Sequence, residues 1–427
     1  MTPVTRDPEH SRRVVDALRS AIGTVPFYAK AGYAAPAEGA SLSEALGALP
    51  LLTRDKIRPT LPKVWVPEGR DVKTELASGK ISVIEMGTGE ARMRVLFDAA
   101  WWREQEKRAL TVNPRAAETI AGELGPYKDA VLYVPERGTG SCGSGDPEYE
   151  DRLEGARVHL NSRQDPTFWS ETVMTRMLEE LGLHETVALI ADPFYLDVLA
   201  RHAATLGRRL DVRGFVAVTR ALTTAAHRAV LRRVYPGTII DVLSAREAGT
   251  LFVEGDDKKM HHAPFGTHVE LLPAKVATPG AERVAQVVVT TLDRPVQPLI
   301  RYVLGDLVSI ADGESRFTDV PPIASVEGKL DDAIIRPDGA IVTPRAIDRA
   351  LSELEMRAYE VIQREPNAVE IEVVGGSPDA AREALASLLE GMNVTASAKT
   401  ALGVEPNGKY KTSRRVAAIQ PATGAFA

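Results

Sequence analysis

The chain has 427 residues, 44% of them hydrophobic and 26% charged, with a formal net charge of −6 and a single cysteine. That composition is ordinary for a globular protein of about two or three domains. It disfavours a general nucleic-acid binder, which carries a basic surface, and excludes an intrachain disulfide framework or a cysteine-rich zinc site. The first residues carry acids and no apolar core, so they do not read as a secretory signal. No run approaches the roughly 18 apolar residues of a membrane span. With one thiol, Cys142, the expectation is a cytoplasmic protein that makes no membrane contact.

Residues Arg12 to Ile22 have the spacing of an amphipathic helix, with Val14, Val15, Leu18 and Ile22 on one face. Ser41 or Ser43 can cap a short helix before Leu49-Pro50, and Thr53 can cap the next, where Asp55 favours the positive end. From Lys80 the pattern alternates through Ile81, Val83 and Met86, turns at Gly87-Thr88-Gly89, and resumes as a strand over Met93 to Phe97. A helix follows over Trp101 to Leu110, then a buried strand, Ala130 to Pro135, and the glycine-rich run Gly138 to Asp146. Beyond it, helices over Thr167–Leu181, Tyr195–Leu206 and Thr224–Val234 alternate with strands over Thr186–Ile190, Gly214–Val218 and Thr238–Leu243. This alternation predicts a mainly parallel sheet flanked by helices.

Between Thr267 and Ile310 the helices vanish, which predicts a distorted barrel or sheet appended to the α/β part. After Glu327 comes a compact unit: a hairpin at Pro337-Asp338-Gly339, a helix over Pro344–Glu355 and a strand over Val369–Val374. A helix over Pro378–Met392 and a strand over Asn393–Lys399 complete it. The expected division is 1–326 for a large α/β core with a β-rich subdomain and 327–427 for a small α+β unit.

Four stretches carry chemistry. LIRYVLGDL (Leu299 to Leu307) is an apolar strand that breaks at Gly305 and presents Asp306. VEGKLDDAIIRPDGAIVTP (Val326 to Pro344) places Lys329 and the acids Asp331 and Asp332 before a tight hairpin. LPLLTRDKIRP (Leu49 to Pro59) precedes them, and PNGKYKTSRR (Pro406 to Arg415) holds Lys409 after a glycine. Together these strings resemble the adenylate-forming enzymes, and within them the phenylacetate-CoA ligase branch. The resemblance implies a large N-terminal α/β domain with a β-rich subdomain and a small mobile C-terminal lid. It also implies ATP and Mg2+ as cofactors, a carboxylic acid as substrate, coenzyme A or another thiol or amine as acceptor, and a homodimer.

Roles follow from the same resemblance. Lys409 would stabilise charge on the carboxylate and α-phosphate, the task for which a compact ammonium is suited. Asp306 would accept hydrogen bonds from the ribose hydroxyls, with Arg301 and Ser244 as further nucleotide contacts. Glu247, in DVLSAREAG (Asp241 to Gly249), would contact magnesium, although Leu243, Ser244 and Arg246 replace the family's tyrosine, glycine and threonine. Asp331 would be the hinge, with Lys329 in place of the usual arginine. Gly87, Thr88 and Gly89 would form the phosphate loop and Thr88 would touch the metal, although Glu90 stands where the family has a cation.

Each has a plainer reading. Asp306 can be a turn aspartate paired with Arg301, Glu247 a solvated residue, Lys409 part of a basic tail, and Asp331 and Asp332 hairpin caps. Gly87 to Gly89 can be a simple turn. His261 and His262, beside Glu254 and Asp256, suggest a metal, or a structural or substrate-shaping role. The function expected from the resemblance is ATP-dependent activation of a carboxylic acid with transfer to a thiol or amine. Its alternatives are a degenerate homologue that binds without adenylating, or one that uses an unusual nitrogen nucleophile.

Overall fold

Helix α1 (Pro8–Thr24) turns Val14, Val15, Leu18 and Ile22 into the interior, the face that their spacing prescribes. The structure, a computed structural model, describes residues 8–60, 64–86, 93–134, 147–162, 165–315, 317–405, 408–416, 419–421 and 424–426. Short helices follow: α2 (Pro26–Lys30), α3 (Leu42–Gly47), α4 (Arg54–Ile57) and α5 (Val72–Ala77). Ser41 rather than Ser43 caps α3, its hydroxyl accepting from the Glu44 N–H while the Glu44 carboxylate accepts from the Ser41 N–H. Thr53 stands at the N-cap of α4, but its side chain makes no capping bond.

Strands β1 (Ser82–Met86) and β2 (Met93–Phe97) pair as an antiparallel hairpin, followed by α6 (Ala99–Leu110) and α7 (Pro114–Ala121). Helix α6 starts ahead of its apolar pattern because the Asp98 carboxylate accepts from the Trp101 N–H at 3.0 Å. Next come β3 (Asp129–Leu132), β4 (Leu153–Glu154), β5 (Arg157–His159), α8 (Glu171–Leu183), β6 (Ala188–Ala191), α9 (Pro193–Thr205), β7 (Phe215–Val218), α10 (Ala225–Val234) and β8 (Thr238–Ala245). The β-rich stretch holds β9 (Gly249–Glu254), β10 (Met260–His262), β11 (Thr267–Pro273), β12 (Val284–Thr291), β13 (Tyr302–Ile310) and β14 (Ile323–Lys329).

All but the hairpin strands β1 and β2 join one twelve-stranded sheet in the order β11-β12-β13-β14-β10-β9-β8-β7-β6-β3-β5-β4. The strands expected as an appended subdomain are therefore continuous with the α/β part. Strand β8 makes the join: residues Thr238 to Asp241 pair parallel with β7, and Val242 to Ala245 pair antiparallel with β9. Strands β6 and β7 are buried along their whole length, as the central strands of a sheet covered on both faces must be.

The chain continues through the hairpin β15 (Ile334–Ile335) and β16 (Ile341–Val342), then α11 (Pro344–Leu351), β17 (Ala358–Glu365), β18 (Ala368–Val374), α12 (Pro378–Leu385), β19 (Asn393–Lys399) and β20 (Ser413–Arg415). A second sheet runs β19-β18-β17-β20 and shares an apolar core with the two helices, built on Ile347, Val361, Ile371 and Leu385, each 0% exposed. Each fully buried aliphatic side chain of this kind contributes about 1.5–3 kcal/mol. Strands β17 and β20 add to the elements expected for this unit, and both helices end earlier than expected, at Leu351 and Leu385. Among the described residues no helix is long and apolar enough to cross a membrane.

Candidate active site

The parallel strands bring their carboxyl ends to one edge of the large sheet, the edge where open α/β sheets bind ligands. Asp192 follows β6, Thr219 and Arg220 follow β7, and Ser244 lies near the end of β8. The Thr219 and Ser244 hydroxyls are 2.8 Å apart, so Ser244 is tied to the turn after β7. Arg220 has a positive φ of 76° and lays its guanidinium 3.6 Å from the centre of the Tyr133 ring.

Asp306 on β13 and Lys329 on β14 are direct cross-strand partners, and the Lys329 ammonium donates to Asp306 Oδ2 at 2.8 Å. The other oxygen, Oδ1, keeps its lone pairs for further donors. Burial alone would lower the Lys329 pKa, but the Asp306 and Glu247 carboxylates outweigh it and hold the group well above its ordinary value.

Glu247, in the turn between β8 and β9, is only 3% exposed. Its charge acts on Arg54, Arg294, Tyr302 and Lys329. Burial lowers the Arg294 guanidinium to about 10, with Glu247 and Asp98 opposing. Burial, then Glu247, raise the Tyr302 phenol to about 12 against the pull of Arg54 and Lys329. Glu247, Arg294 and Gln297 enclose with Ile57, Met93, Val95 and Leu299 a gap of only about 10 Å³, room for a single water.

Lys409 reaches this cluster from the other sheet's side of the molecule. Burial pushes its ammonium down to about 8, helped by Lys329, Arg246 and Arg220 and opposed by Asp192. Asp192, 1% exposed, is itself raised to about 6 by burial, against the Phe194 N–H, Lys409 and Arg220. Three carboxylates, from Asp192, Glu247 and Asp306, thus share one cleft with the cations Lys409, Lys329, Arg54, Arg220 and Arg246. A cluster with more cations than carboxylates suits a polyanion, and the buried Glu247 carboxylate suits Mg2+ that keeps water and phosphate among its ligands.

No protein-family model matches the sequence, and the comparison with curated proteins finds no match. Solved structures do match. A 2-hydroxyisobutyryl-CoA ligase in its postadenylation state, in complex with R3-HIB-AMP, superposes with a TM-score of 0.66 at 17% identity, over 96% of this chain and 89% of that one. The same ligase in its thioesterification state, with 2-HIB-AMP and CoA, scores 0.55 at 17% identity, over 96% and 90%. The amide bond synthetase McbA from Marinactinospora thermotolerans scores 0.50 at 16% identity, over 77% of this chain and 68% of that one.

The chain has the adenylate-forming ligase fold. Within it, Asp306, Lys329, Glu247 and Lys409 stand in one electrostatic cluster, and Ser244 lies at the same sheet edge. Asp331 is outside the cleft proper: its side chain is 71% exposed and its carboxylate is 3.5 Å from the Arg54 guanidinium. Its neighbour Asp332 takes the Lys411 ammonium at 2.8 Å, which separates the parts played by Lys411 and Lys409. Arg301 is engaged elsewhere. It makes a two-pronged ion pair with Glu270 and donates to the carbonyls of Leu46 and Leu49, holding the end of α3. Gly87, Thr88 and Gly89 lie outside the described residues, as does Cys142.

His261 pairs with Asp257 at 3.0 Å and His262 is buried against Thr318. Among the described residues no group of three ligating side chains could hold a metal ion. Asp192 and Arg220 join the cluster without a sequence signal of their own, whereas Tyr302 lies in the LIRYVLGDL string without having been given a role. Arg246 was visible only as a substitution for an expected residue, and Arg54 only as a member of the Leu49 to Pro59 string.

Proposed function

We propose that this chain activates a carboxylic acid as its adenylate at the expense of ATP and passes the acyl group to coenzyme A or another thiol or amine. In this reading a carboxylate oxygen attacks the α-phosphorus, a new O–P bond forms, and pyrophosphate leaves. The Lys409 ammonium stabilises the charge that builds on the attacking carboxylate and α-phosphate. Asp306 orients the nucleotide by accepting from the ribose hydroxyls through Oδ1, while Lys329 fixes its other oxygen. Glu247 would hold Mg2+, joined by Thr88, and the metal when bound would neutralise phosphate charge. The backbone of Gly87 and Gly89 would face the phosphates.

Residues 1–326 would be the core and 327–427 a lid turning about Asp331, so that one lid serves both half-reactions. A cytoplasmic location belongs to the same reading. The observation that carries it is that Lys409, from the C-terminal segment, feels the charges of Asp192 and Arg220 at the carboxyl edge of the sheet and of Lys329, the partner of Asp306. The better superposition on the postadenylation state of one ligase than on its thioesterification state supports a lid in the adenylating arrangement.

ATP–pyrophosphate exchange with a panel of alkyl and aryl acids tests the proposal. At least one acid should support exchange, and Lys409→Ala should abolish it. No exchange with any acid, alongside ATP binding by calorimetry, would identify a binder instead.

A further inference from the structure

The lysine loop does not simply hang over the cleft, because one helix turn grips it on both sides of the lysine. Tyr195, buried in the first turn of α9, donates its hydroxyl hydrogen to the carbonyl of Gly408 at 2.8 Å. Phe194 stacks on Tyr410 with ring centres 4.6 Å apart and planes 17° from parallel. Asp192, the N-cap of the same helix, is the one carboxylate among the charged groups acting most strongly on Lys409. Gly408 and Tyr410, the residues on either side of Lys409, are thus held by two consecutive residues of one turn, whose N-cap carboxylate acts on the lysine through its charge.

The loop is also shaped to present its lysine. Gly408 has a φ of 76°, a conformation that favours glycine, and the Glu405 and Lys409 backbones close the turn by hydrogen bonding at 2.8 Å. On its far side Tyr410 donates to the Tyr359 carbonyl of β17, so the loop bridges α9 and the second sheet.

We infer that the first turn of α9 is the seat of the catalytic lysine, with Asp192 as a positioning residue that keeps the Lys409 ammonium charged among neighbouring cations, and Tyr195 as the latch on its backbone. This rests on the proposed adenylation reading and assigns that reaction two residues that no comparison supplies. The chemistry requires such a group. A cleft built to attract triphosphate is rich in positive charge, and that charge drives protons off an amine within it. A carboxylate beside the lysine offsets this until the nucleotide arrives. Capping alone would leave Asp192 no closer tie to the lysine than any other helix start.

Asp192→Asn separates the two roles, because asparagine caps a helix as well as aspartate and lacks only the charge. Competitive amine labelling of the whole protein across pH, read at Lys409 by mass spectrometry, follows the lysine without needing turnover. The Lys409 midpoint should fall by at least about half a unit in Asp192→Asn, and the alkaline limb of pyrophosphate exchange should move with it. Tyr195→Phe should lower the exchange kcat about tenfold with the KM for ATP unchanged.

A midpoint that does not move in a folded Asp192→Asn protein would overturn the role of Asp192. A raised KM at constant kcat in Tyr195→Phe would overturn that of Tyr195. If the unaltered protein supports no exchange with any acid, the adenylation reading fails, and the labelling midpoint still decides whether Asp192 sets the state of Lys409.

Discussion

Lys409 titrates within reach of a simple experiment. Burial and three neighbouring cations bring its ammonium to about 8, so about nine-tenths of it is charged at pH 7 and about one-tenth at pH 9. If the charged form alone stabilises the adenylation transition state, kcat/KM for ATP in pyrophosphate exchange should fall about tenfold between those pH values, since that ratio reports the free enzyme. Bound triphosphate favours the ammonium, so the limb of kcat itself should lie at higher pH. The same linkage makes ATP binding at pH 8 take up about half a proton, measurable by calorimetry in two buffers of different ionisation enthalpy. Lys409→Arg keeps its charge throughout and should lose the limb, whatever activity remains. A kcat/KM that stays level through pH 9.5, or an identical limb in Lys409→Arg, would refute the assignment of the limb to this lysine.

Asp306→Asn removes the negative charge that Lys329 and the ribose share, and the KM for ATP should rise about tenfold or more in exchange assays; an unchanged KM would place the ribose elsewhere. Asp331→Pro stiffens the proposed hinge, so exchange should persist while transfer to the acceptor, followed as product formation, is lost; equal loss of both would argue against a hinge. His262 and His268 are held neutral, His268 near 3, chiefly by burial and then by the neighbouring His10. Their folded pKa values lie below the unfolded one, so the unfolded state binds more protons in acid and stability is lost as pH drops below about 6.5. The expected slope is about 1 kcal/mol per pH unit for each histidine that stays neutral, read as a falling urea midpoint between pH 7 and pH 5. A constant midpoint would contradict it.

Much of the fold was legible because its signals are local. The central strands are short apolar runs bounded by helix caps, and α1 carries its buried face in its spacing. The continuity of the sheet was not legible, because it depends on β8 changing partners half-way along, a matter of long-range register. Strand β17 escaped notice because YEVIQRE carries charge on its exposed positions and ends in exposed Arg364 and Glu365. In the site, Asp306 and Lys329 are far apart in sequence but stand opposite each other on adjacent strands, which motif spacing alone does not state. Arg301, beside them in the motif, turns away at a positive φ of 48° to bind Glu270. Asp192 lies just ahead of the helix that the sequence places from Tyr195, with nothing to single it out, and its link to Lys409 appears once the chain has folded.

Mass-spectrometric detection of an enzyme-bound acyl-adenylate tests the account most directly, using ATP and an acid panel without any acceptor. For at least one acid, the adenylate should accumulate to about the amount of enzyme, with matching release of pyrophosphate, and should be missing in Lys409→Ala. ATP held by the protein with neither adenylate nor pyrophosphate formed from any acid would contradict the reading of this cleft as a site of carboxylate activation.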